Sequence, residues 1–123
     1  MINFELGVVQ ERFADIVWAN EPISSGDLVK ICKEELNWKK PTTYTVLRKL
    51  CEKGLLKNEN GTVSSVVSRE DFYSAKSEQI VEESFEGSLP AFIASFIARK
   101  NLSAEEAEKI QKMIDAFKKE GQS

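Results

Sequence analysis

The run Pro41-Thr42-Thr43-Tyr44-Thr45-Val46-Leu47-Arg48-Lys49-Leu50, carried on by Cys51-Glu52-Lys53-Gly54-Leu55-Leu56 towards Asn60-Gly61, decides the fold. Pro41 fits the first turn of a helix, where its missing N–H costs nothing, and Gly54 supplies a C-terminal stop. The run therefore predicts a helix from about Pro41 to Lys53. Val46, Leu47 and Leu50 fall on its inward side. The other side presents Tyr44, Thr45, Arg48 and Lys49, which together can donate hydrogen bonds, stack and neutralise phosphate. Directly downstream, Leu55 to Glu59 and Thr62 to Val67 flank Asn60-Gly61, the dipeptide best suited to the positive φ angles of a tight hairpin turn. A lone hairpin is marginal in water, so its apolar residues must pack on the helices before it.

Upstream, Leu6, Val9, Phe13, Ile16 and Val17 recur at helical spacing and predict a helix from about Asn3 to Asn20. Pro22 marks a turn. Ser24 with Asp27 three residues on resembles a capping box, and Leu28, Ile31, Cys32 and Leu36 carry a second short amphipathic helix, closed by Asn37 and Trp38. Three helices followed by a hairpin make a winged helix-turn-helix, which we place at residues 1–68.

Residues 69–123 read as three further helices. Ser68 caps one that runs to about Glu86 and stops at Gly87; its apolar members are Phe72, Ile80, Val81 and Phe85. Ser88 begins the next, with a broad stripe of Leu89, Phe92, Ile93, Phe96 and Ile97. Leu102, Ser103 and Glu106 open the last with a staple and capping box, and Ala107, Ile110, Met113, Ile114 and Phe117 line it. Helices this short carry more apolar surface than they can bury among themselves, and exposed patches of that size mark interfaces. The simplest reading is a dimerisation arm that buries Phe85, Leu89, Phe92, Ile93, Phe96, Ile97, Ile110, Ile114 and Phe117 against a second copy. Folding back onto the winged helix to enlarge one core is the other reading. The expected class is thus mostly α with a small β-hairpin, a winged helix-turn-helix followed by a three-helix arm.

Composition narrows the chemistry. The chain holds no histidine, which removes the commonest general base and metal ligand and excludes Ser-His and Cys-His nucleophile pairs. Its two cysteines, Cys32 and Cys51, form no C-x-x-C or C-x-C motif and read as small core fillers. With no Gly-rich phosphate loop, no enzyme activity, metal or cofactor is expected. No window approaches the roughly 20 apolar residues of a membrane span, and no signal peptide is visible, so a cytoplasmic protein without membrane insertion is expected.

The net charge of −3 is unevenly divided. Residues 30–57 hold eight Lys and Arg against three Glu, a net +5, whereas residues 70–120 hold seven against eleven acids, a net −4. A basic patch on an acidic chain is the footprint of one face meeting phosphates. In a helix-turn-helix the second helix enters the major groove with its N-terminal residues nearest the bases. Thr42, Thr43, Tyr44, Thr45 and Arg48 are accordingly the candidates for groove contact, Arg48 being the best placed for bidentate guanine readout. Lys39, Lys40, Lys49 and Lys53 are the candidates for phosphate contact. Thr43 has a second reading, as a core residue. The wing, with Asn58, Glu59 and Thr62 to Ser65, offers little positive charge.

At this point the chain resembles the penicillinase-repressor family, the BlaI/MecI/CopY type. The likeness rests on Ile16-Val17-Trp18, on Trp38 followed by Pro41 to Leu50, on Lys53-Gly54-Leu55-Leu56, and on Phe96 with Leu102-Ser103. The resemblance implies a repressor whose homodimer binds a palindromic operator in double-stranded DNA, with the C-terminal helices interlocked. In β-lactam-responsive relatives a protease acting downstream of a membrane sensor cuts between an Asn and a Phe. The corresponding bond here is Ser95-Phe96, with serine in place of asparagine. The C-terminal cysteine pair of the copper-responsive branch has no counterpart. Two other readings remain at this stage: a winged-helix adaptor whose basic patch faces an acidic protein, and a regulator of similar architecture that binds a small effector.

Overall fold

A computed structural model describes residues 2–121. In chain order it contains α1 (Val8–Asn20), β1 (Ile23–Ser24), α2 (Ser25–Leu36), α3 (Lys40–Glu52), β2 (Leu56–Glu59), β3 (Thr62–Ser65), α4 (Arg69–Ser84), α5 (Leu89–Arg99) and α6 (Ala104–Gly121). The chain forms two compact units, one ending at Glu78 and one beginning at Gln79, so the division falls within α4. The expected class holds: a winged helix-turn-helix followed by a helical arm.

In the first unit one cluster joins Phe13, Ile16 and Val17 of α1, Leu28 and Cys32 of α2, and Leu47 and Leu50 of α3 to Leu55, Leu56 and Val63 of the wing. Burying each such side chain fully contributes about 1.5–3 kcal/mol, which is what holds short helices of modest propensity in place. Phe72, from the first turn of α4, is completely buried in the same cluster. Around it, Phe72 lies 6.0 Å from Phe4 and 5.5 Å from Trp18 between ring centroids. Trp18 Nε1 donates to Val67 O at 3.0 Å, which satisfies the indole while its ring stays in the core. Arg69 pairs with Asp15, and Lys76 with Glu11, fastening the start of α4 along α1. The first unit therefore extends past Ser68, because Phe72 closes its core.

Two elements differ from the sequence reading. The first helix begins at Val8 rather than Asn3, since Gly7 stands in extended conformation as its N-cap and its N–H donates to Gln10 Oε1 at 3.4 Å. Residues 2–6 instead form a strap along the end of α3. There Asn3 N donates to Lys53 O at 2.9 Å, and a side chain on Gly54, at φ +84°, would meet Ile2 Cγ1 at 3.3 Å. Leu6 thus packs from outside the helix, and Val9 is exposed. The second difference is β1, which makes the wing a three-stranded antiparallel sheet of order β1-β3-β2. Ile23 pairs with Val63 and Ser24 with Thr62. Glu21 secures this strand by accepting from Ser65 N at 2.9 Å and Ser65 Oγ at 2.7 Å.

The hairpin turn follows expectation, with Asn60 at φ 53° and Gly61 at φ 87° and Glu59 opposite Thr62. So do the caps: Ser24, Ser68, Ser88 and Ser103 each accept from the backbone N–H three residues on, at 3.1 Å. Cys32 is buried, whereas Cys51 is only half so. Burial pushes both thiols up from the ordinary value.

In the second unit neither α5 nor α6 contains a buried residue. Phe85 and Phe92 meet edge to face at 5.4 Å. Leu89, Ile93, Phe96, Ile97, Ile110, Met113, Ile114 and Phe117 are all exposed, Met113 by 71% and Phe117 by 75%. Among the described residues no helix is long and apolar enough to cross a membrane.

Candidate nucleic-acid interface

The helix pair is set by one residue in a left-handed conformation. Asn37, at φ 56°, ends α2 with its N–H bonded to Cys32 O, and asparagine tolerates that region better than most residues. Trp38 then stacks on Phe13 at 5.7 Å. The chain is thereby turned into α3 with Lys39 as N-cap and Pro41 in the first turn. Among the helix starts this one has no side-chain cap and no acid in its first turn, and it carries Lys39 and Lys40 instead. Both features leave positive potential at the helix N-terminus.

Along α3, Thr43, Leu47 and Leu50 are buried and Val46 is half-buried, so Thr42, Tyr44, Thr45, Arg48 and Lys49 stand on the exposed face. Thr43 belongs to the core: it is 1% exposed, and its Oγ1 lacks a hydrogen-bond partner among the described residues. The Cys32 thiol faces it closely enough to be partly held down by the hydroxyl, against the stronger upward push of burial. Thr43 is therefore removed from the set expected to reach a groove, because the i+3 and i+4 spacing to Val46 and Leu47 places it on the packed side.

The remaining candidates differ in how free they are. Thr45 Oγ1 donates to Pro41 O at 2.9 Å, which commits its hydroxyl hydrogen to the backbone and leaves its methyl group available for contact. Tyr44 OH bonds Ser25 Oγ at 3.1 Å, and Ser25 N donates to Gly61 O at 2.8 Å, so α3, the start of α2 and the wing turn meet at one serine. Lys40 lies 6.0 Å from the Tyr44 ring centre. Arg48 approaches Glu52 through Nε, at 3.9 Å. Lys39 and Lys49 make no ion pair among the described residues. Lys53, by contrast, is half-buried and occupied, donating to Glu5 O and to Gln10 Oε1. It holds the strap against α3 with two of its three ammonium hydrogens, which leaves it less free for phosphate than Lys39 and Lys49. On the wing, Lys57 is offset by Glu59 at 3.3 Å.

Sequence reasoning missed Ser25 and Glu52. The i,i+4 spacing of Arg48 and Glu52 was a usable signal; nothing in the pattern of α2 pointed from Ser25 to Tyr44. Among the described residues no group of three or more acids, cysteines or histidines is arranged to hold a metal.

A helix-turn-helix with a basic and polar second helix and a small wing, followed by helices with a bare apolar face, matches the architecture of winged-helix transcription regulators. Within that class the sequence model described as "Penicillinase repressor" matches residues 6–116, and the chain belongs to the penicillinase repressor family. It is similar to the penicillinase repressor of Bacillus licheniformis, with 22% identity over 107 residues, 84% of each chain. The protein is a transcriptional repressor of that type.

Proposed function

We propose that the chain represses transcription as a homodimer whose two α3 helices read a palindromic operator in double-stranded DNA, in the cytoplasm. The observation that carries the reading is the exposed face of α3. Thr42, Thr45, Arg48 and Lys49 line a ridge that begins at the uncapped N-terminus flanked by Lys39 and Lys40, while Leu47 and Leu50 fix the opposite side in the core. Phosphate contacts from Lys39, Lys40 and Lys49 position the helix; Arg48 and the Thr42 and Thr45 edge specify sequence. The wing, with its one lysine paired, contributes little.

The bare apolar face of α5 and α6 supports the dimer, and a two-fold dimer suits half-sites repeated on one side of the duplex. The winged helix at residues 1–68 and the arm at 69–123 divide these tasks, with the first turns of α4 serving the DNA-binding side. Cleavage at Ser95-Phe96 by a protease downstream of a membrane sensor is carried by the family likeness. That bond lies inside α5, where Phe96 O accepts from Lys100 N at 3.0 Å, so a protease requires local opening of the helix.

The test compares Arg48→Ala and Lys49→Ala on operator and base-substituted fragments. Arg48→Ala is expected to relax preference at one base pair per half-site. Lys49→Ala is expected to weaken binding to all sequences alike and to lower the salt slope by about 0.9 per protomer. Equal, uniform effects of both substitutions would contradict base readout by Arg48.

A further inference from the structure

We propose that Glu52 is a positioning residue for base readout: it holds Arg48 by Nε so that the terminal N–H groups of the guanidinium point away from α3. This rests on Arg48 reading DNA, as argued above. Three observations carry it. Glu52 is the sole acid of α3, a helix whose exposed face is otherwise polar or cationic. It lies one turn beyond Arg48, and the approach is between Nε and Oε1 at 3.9 Å. Among the described residues Glu52 is the one acid that pairs with the Arg48 guanidinium, at ion-pair rather than hydrogen-bond distance. Both side chains are about seventy per cent exposed, 70% and 68%, so the pair contributes little to folding and is not explained by the core.

The chemistry gives the carboxylate a cost and a use. A negative charge on the DNA-facing helix repels phosphates and weakens binding to every sequence. Guanine readout needs both terminal nitrogens of the arginine fork, aimed at O6 and N7. A free arginine on a long flexible stem reaches phosphates as readily as bases. Engaging Nε from the helix side favours the orientation in which the fork faces the groove, and it raises the relative cost of swinging out to the backbone. Glu52 therefore trades affinity for discrimination, and its removal moves the two in opposite directions.

The experiment uses the full chain and the operator fragment. The base pair read by Arg48 is first located as the position at which Arg48→Ala no longer discriminates. Dissociation constants for the operator, for the operator substituted at that pair, and for unrelated duplex are then measured for wild type, Glu52→Ala and Glu52→Gln. Glu52→Ala is expected to bind unrelated duplex more tightly while its discrimination at the Arg48 pair falls about two- to fivefold, the scale of an exposed ion pair. Glu52→Gln keeps an acceptor at the same place and is expected to recover part of the discrimination. If Glu52→Ala tightens binding to all fragments by the same factor, Glu52 acts by repulsion only and the proposal is overturned. If Arg48→Ala alters no position, the reading beneath it fails and the role of Glu52 falls with it. If Arg48→Ala does and neither Glu52 variant does, only the role of Glu52 falls.

Discussion

Thr43 and Thr45 stand two residues apart on α3 and meet opposite surroundings. The hydroxyl of Thr45 is satisfied by Pro41 O in solvent, while that of Thr43 is buried with only the weakly bonding Cys32 thiol beside it among the described residues. A buried hydroxyl without a good hydrogen bond costs about 1–3 kcal/mol, and an apolar group of the same shape avoids that cost. Thr43→Val is therefore expected to raise thermal stability by about 1 kcal/mol, read as an increase in Tm of several degrees, with operator affinity unchanged. Loss of affinity without loss of stability would return Thr43 to the interface. Beside it, Cys32 gives a pH dependence of definite sign. Burial raises its pKa above the ordinary 9.0. Above that value the unfolded chain loses the thiol proton while the folded chain keeps it, so stability declines as pH rises from 9.0 towards the raised value. Denaturant melts across that alkaline window are expected to show a shallower decline in Cys32→Ala than in wild type.

At the scale of elements, α4 is the informative helix. Its first turns give Phe72 to the core of the first unit, while the helix continues into the second. A fragment ending at Glu78 is expected to melt cooperatively. One ending at Ser68 lacks Phe72 and is expected to be less stable by about 3–5 kcal/mol, the cost of removing a buried phenylalanine; equal melting of the two would remove Phe72 from the core. Helix starts were legible in the sequence because serine caps act within three residues of themselves, and the hairpin was legible because Asn60-Gly61 encodes its own φ angles. The start of α1 was not. Leu6 continues the apolar periodicity, but it packs from an extended strap held by Lys53, nearly fifty residues away in the chain. β1 escaped for a similar reason: two residues are too few for an alternating pattern, and pairing with Val63 and a brace from Glu21 create the strand. Of the site, the exposed ridge of α3 was legible from helical spacing. The occupation of Lys53 and the link from Tyr44 to Ser25 depend on tertiary contacts that spacing cannot reveal.

For the molecule as a whole, the charge division and the bare apolar arm belong to one account. Neither α5 nor α6 contains a buried residue; in the proposed dimer a second copy covers that face, and two α3 helices are presented to DNA. On the same proposal the acidic remainder of the chain confines DNA contact to the basic face. The most direct test is sedimentation of the full chain, alone and titrated with a duplex from its own upstream region or with a scrambled duplex, at two salt concentrations. The account predicts a dimer in free solution, two protomers per operator, and at least about a thousandfold preference over scrambled DNA, with affinity falling as salt rises. A monomer that binds both duplexes equally would contradict it.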